Sequence, residues 1–192
     1  MKRILFVAVL LTFAAVVSAQ PIINLGLKGG LNTSKVSVKL EDYNSSNITK
    51  MHIGAFGRIG WNKVYLQPEV YFTKKGGEFS ANPLHFFGEF DYSAVDVPVL
   101  FGVRVLNAKA VDLHLMGGPV FGFITKNDLS GSNDFDSQYF KDRYVGFQYG
   151  VGADVLFLTV DLRMEHSGTV YDHPDFSGKN TTFMVTVGFK IL

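Results

Sequence analysis

Along residues 158–165, Val160, Leu162 and Met164 alternate with Asp161, Arg163 and Glu165. An extended chain turns successive side chains to opposite faces, so this run has one apolar and one charged face. The same period of two recurs along the chain and predicts eight strands, at residues 24–34, 51–61, 64–74, 92–106, 111–125, 144–155, 158–168 and 181–192. Most are near the roughly 9–11 residues that a tilted membrane strand needs. Past Gln20 no useful length of helical periodicity appears.

The connections alternate in length. Asn62-Lys63, residues 107–110 and a reversal near Leu156-Phe157 are short, although the last lacks Gly, Asn, Asp or Pro. Residues 35–50, 75–91, 126–143 and 169–180 are longer and polar, and read as loops. Short turns at one end and long loops at the other are the pattern of outer-membrane barrels, in which the short turns are periplasmic. An even strand number then places both termini in the periplasm.

Alternation alone does not say which face points inward, since a soluble lipocalin-like barrel alternates equally well. The composition of each face decides. One face carries Leu25, Leu27, Ile53, Phe72, Val97, Phe101, Leu115, Phe123, Val151, Leu162, Val185 and Phe189, with His166 a polar exception near a strand end. The other carries Lys28, Arg58, Arg104, Arg163 and Lys190 against Glu69, Asp96, Asp154, Asp161 and Glu165, set among glycines such as Gly26, Gly54, Gly102, Gly150 and Gly188. An Arg or Lys facing lipid costs roughly 2–4 kcal/mol at the midplane, so this balanced, Gly-rich face is expected to be the interior. Arg58, Arg104 and Arg163 are expected to bridge the five carboxylates across the lumen. Trp61, Tyr65, Tyr92, Tyr144 and Phe147 lie near strand ends and suggest aromatic girdles.

The ends and the composition fit this picture. Lys2 and Arg3, the apolar run 4–17 and Val17-Ser18-Ala19 predict a signal peptide over 1–19, followed by one barrel domain over 20–192. Losing Lys2 and Arg3 takes the formal charge from +1 to −1, which leaves no basic field for nucleic acid. There is no Cys, hence neither a disulfide nor a lipoprotein anchor. Mean hydropathy is slightly positive, as expected when much of the surface faces lipid.

Six pieces in order carry a resemblance. Residues 65–76, Tyr-Leu-Gln-Pro-Glu-Val-Tyr-Phe-Thr-Lys-Lys-Gly, come first, followed by Val97-Pro98-Val99-Leu100 and Gly117-Gly118-Pro119. Gly150-Val151-Gly152, Asp161-Leu162-Arg163 and Val187-Gly188-Phe189-Lys190 complete the set. Together they resemble Bacteroidetes outer-membrane β-barrel proteins of the porin-family, PorT-type group. The resemblance implies an all-β, eight-stranded antiparallel up-and-down transmembrane barrel of the OmpA/OmpX architecture in the cell outer membrane. Leu192 departs from the aromatic terminal residue common in such barrels.

The chemistry weighs against catalysis. Small outer-membrane barrels include lipid A deacylases and acyltransferases, which need Ser and His to converge. His166 and Ser167 are adjacent, so on a strand they face opposite ways. His52, His85, His114 and His173 lack metal-ligand spacing, and Asp128, Asp134 and Asp136, or Asp172 and Asp175, lack that of an EF-hand. No catalytic residue, metal or cofactor is expected. Eight strands leave an interior just wide enough for side chains, so the inner charges are expected to be a structural core, with a narrow solute pathway as the alternative. The expected partners are outer-membrane lipid and, through loops rich in aromatic residues, an extracellular ligand or other envelope proteins. A monomer is expected.

Overall fold

A computed structural model describes residues 22–38, 43–46, 48–81, 86–108, 110–130, 142–173 and 176–192. The 1–19 segment, Asp134, Asp136 and Asp175 lie outside them. The chain forms β1 (Ile22–Val38), β2 (Tyr43–Ser46), β3 (Ile48–Trp61), β4 (Val64–Ala81), β5 (Phe86–Asn107), β6 (Val111–Ser130), β7 (Arg143–Val155), β8 (Leu158–His173) and β9 (Phe176–Lys190). The strands β2 and β3 both pair with β4, so they make one stave and the staves number eight. Every pairing is antiparallel between sequence neighbours, and β1 pairs with β9 to close the barrel. Leu25 N–H donates to the Leu192 carbonyl at 3.0 Å, which carries the seam to the last residue.

Parity divides the two faces along each strand. Leu158, Val160 and Leu162 are exposed, while Thr159, Asp161, Arg163 and Glu165 are buried. Phe183, Val185, Val187, Phe189 and Ile191 continue the outer apolar face on β9. At about 3.3 Å per residue and a tilt of about 40°, nine residues rise about 20–25 Å, close to the ~25 Å band of a membrane barrel.

Two short connections are two-residue turns. Trp61 pairs with Val64 around Asn62, at φ 52°, and Val155 pairs with Leu158 around Leu156, at φ 56°. Asn tolerates the left-handed region. A branched Leu there costs about 1–2 kcal/mol, imposed by strand pairing on both sides. That explains a tight turn without turn residues.

The connections at the other end differ from the expected loops. Strands β4 and β5 run on to the pair Ala81↔Phe86, and β8 and β9 to His173↔Phe176. Most of 75–91 and 169–180 is therefore paired strand. Backbone pairing, which any residue except Pro can supply, carries these strands on through stretches whose polar composition resembles loop.

Candidate functional site: the charged lumen

Inward-facing positions on β1, β4 and β8 converge in the middle of the barrel. Lys28 on β1 places Nζ 3.0 Å from Glu69 of β4 and 2.6 Å from Asp161 of β8. Arg163 spans the same two acids, with Nη1 2.7 Å from Glu69 Oε2 and Nη2 2.6 Å from Asp161 Oδ2. Two cations thus share two carboxylates, and all four are buried. Tyr71 and Gln67 also donate to Glu69. Each carboxylate gains charged hydrogen bonds that offset the cost of leaving water.

Toward the two-residue turns, Arg58 pairs with Asp154, which also lies 3.3 Å from Lys190 Nζ. Arg58 donates to Gln67 as well, which links this layer to the middle one. Arg104 lies 2.8 Å from Asp112 and donates to the Asn62 carbonyl at 2.7 Å. Its expected partners among the five carboxylates are not the ones it meets. Asp96 and Glu165 do not meet an arginine at all. Lys75 Nζ holds both, at 2.6 and 2.5 Å. Tyr144 donates to Asp96 at 2.5 Å, and Gln148 to Glu165 at 2.8 Å.

Sequence reasoning misses Lys75 and Asp112, because Lys75 falls in the stretch that reads as loop and Asp112 lies at the start of its strand, outside the charged face. Parity would have found Lys75. Tyr65, Gln67, Glu69, Tyr71, Thr73 and Lys75 are all odd-numbered on one strand, and all are buried. Asp112 likewise shares parity with the buried His114, whose Nε2 lies 3.5 Å from Asp161.

The aromatic girdle needs correction. Trp61 is half-buried and Phe147 exposed, but Tyr65, Tyr92 and Tyr144 are buried in the lumen. Glycines admit Tyr65 and Tyr144. Tyr65 lies directly opposite Gly102 and Tyr144 opposite Gly122. A Cβ on Gly102 would sit 1.9 Å from the Tyr65 ring, and one on Gly122 2.1 Å from the Tyr144 ring. These two inner glycines are thus cradles for aromatic rings, which fill a lumen this narrow.

His166 and Ser167 diverge. Ser167 turns inward and donates to the Asn180 carbonyl at 3.1 Å. His166 turns outward and lies 3.3 Å from Tyr149 Oη and 3.3 Å from Thr181 Oγ1. Among the described residues no group of three or more His, Asp or Glu could hold a metal ion.

Known proteins share this architecture. The family model for the outer membrane protein beta-barrel domain matches residues 18–167. The chain belongs to that family. No curated protein matches it. Among solved structures it is similar to the outer membrane protein OprG from Pseudomonas aeruginosa, at 12% identity and TM-score 0.56, covering 90% of this chain and 98% of that one. It is also similar to Ail, the attachment invasion locus protein of Yersinia pestis, at 16% identity and TM-score 0.50, covering 88% and 98%. These likenesses concern the fold. Family and fold together make this an outer-membrane β-barrel protein.

Proposed function

We propose that this barrel is a non-catalytic, closed-lumen anchor that displays its extended hairpins outside the cell for surface interaction. The supporting observation is the filling of the lumen. Arg58, Arg163, Lys28, Lys75, Tyr65, Tyr71 and Tyr92 are among its largest fully buried side chains. The charges among them are held in pairs, and a pore would require these pairs to break. Their role is structural: they hold the staves together across the axis. Residues 1–19 direct export, the short turns and both termini lie in the periplasm, and the protein works as a monomer.

The β4–β5 and β8–β9 hairpins rise past the apolar band, and the β4–β5 segment contains Phe79, Phe86, Phe87 and Phe90. Aromatic residues on a projecting element suit a protein partner. The six sequence motifs further support a place beside PorT-type barrels of Bacteroidetes, where the partner would be another envelope protein of a secretion machine.

Planar-bilayer recording tests the closed lumen. We expect no unitary conductance from the wild type, and steady ion flux would overturn the anchor reading. On cells, protease added outside should cut within 127–142, and shortening the 78–89 hairpin should abolish partner capture while leaving the barrel folded.

A further inference from the structure

Around the hairpin end, the outward row of side chains changes from apolar to polar. Thr33 on β1 hydrogen-bonds Thr49 on β3 at 3.0 Å, and Thr125 on β6 donates to the Ser93 carbonyl at 3.1 Å. Lys35, Lys74, Arg143 and His166 are exposed at this level, and so is Asp142. Here β3, β4, β5 and β6 frame an open groove of about 780 Å³. Met51, Ile53 and Phe72 stand on its apolar side, and Thr49, Lys50, Lys74, Ser93 and Thr125 are among its polar lining. Met51 is 71% exposed, and Ile53 and Phe72 are each 67% exposed, more than any other large apolar residue of the outer face bar Val105 at 68% and the terminal Leu192 at 69%. Greasy side chains stand open directly below a cation.

The structure assigns this groove to a lipid of the outer leaflet with a net-anionic phosphate headgroup, with an acyl chain against Met51, Ile53 and Phe72 and the phosphate at Lys74. The inference rests on the orientation proposed above, with hairpins outside. Charge complementarity selects the occupant. A Lys at the level where headgroups begin keeps its stem in the apolar layer and its ammonium at the phosphate. An anionic surface adds about 1 kcal/mol per Lys or Arg near it. A zwitterionic lipid would fill the apolar part equally well but leave the Lys74 charge without a net counter-charge.

The test uses the full mature chain reconstituted in phosphatidylcholine vesicles doped with lipid A, either diphosphorylated or dephosphorylated. Lipid retained on the protein is counted by native mass spectrometry. We expect at least tenfold preference for the phosphorylated form, and Lys74→Gln should cut it at least fivefold. Lys63→Gln, in the turn at the opposite end, should leave it unchanged. Equal retention of both lipids, undiminished retention by Lys74→Gln, or an equal loss in Lys63→Gln would overturn the assignment. Orientation is read separately. The chain has no Cys, so Asp142→Cys on intact cells should react with a membrane-impermeant maleimide. Protection there, with retention in vesicles intact, would overturn the orientation and the outer leaflet with it, leaving only the groove's preference for phosphate.

Discussion

Two buried charge clusters, a few residues apart along β4 and β8, are built on different plans. In the middle layer two cations, Lys28 and Arg163, share two acids, Glu69 and Asp161, and each cation touches both acids. One layer toward the hairpins, among the described residues, Lys75 alone serves Asp96 and Glu165. The first cluster is redundant, since losing either cation leaves both acids a partner. The second hangs on one ammonium, with Tyr144 and Gln148 as neutral support. Equal burial therefore does not mean equal tolerance: the number of routes by which each charge is compensated sets the cost of losing a residue.

Breaking the single-cation cluster should have the largest effect. Lys75→Met leaves two buried carboxylates without a cation and should cost about 4–5 kcal/mol, at the top of the range for a broken buried pair. Urea titration of the barrel in lipid vesicles, followed by gel mobility without heating, reads this directly. Arg163→Met should cost less, about 3 kcal/mol, because Lys28 still reaches Glu69 and Asp161. An Arg163 loss as large as the Lys75 loss would show that redundancy has no value here.

Outside both clusters, Gly102→Ala drives a methyl into the Tyr65 ring. It should cost about 1–3 kcal/mol in the same titration, by overpacking alone. The smallest effect should be favourable. Leu156→Asn relieves the left-handed strain at the β7–β8 turn and should stabilise by about 1 kcal/mol without touching the lumen. A neutral result would mean that the Leu156 side chain, 66% exposed at the turn, gains as much from its lipid or interfacial setting as the strain removes.

Much of the fold is legible in the chain because the period of two is enforced twice, once by lipid outside and once by charge inside. Val160–Leu162–Met164 against Asp161–Arg163–Glu165 is readable for that reason, and so is the placement of Lys28, Arg58, Glu69 and Asp154 on one face. Where the sequence does not alternate, the reading fails. The paired segments beyond Lys75 and Thr169 look like loops because their polar sequences carry no period of two, while the backbone pairing that makes them strands leaves no mark in the sequence.

Sequence by itself determines which residues share a face, the number of staves and the balance of charge within. It does not determine who meets whom. Parity places a side chain in the lumen, but register and stagger set its height, and height chooses the partner. Tertiary structure alone sends Arg104 to Asp112, gives Asp96 and Glu165 to Lys75, and lays Tyr65 and Tyr144 over glycines on neighbouring strands. Local alternation is a property of one strand and its two solvents, whereas pairing across an eight-stave lumen depends on the relative shift of all of them at once.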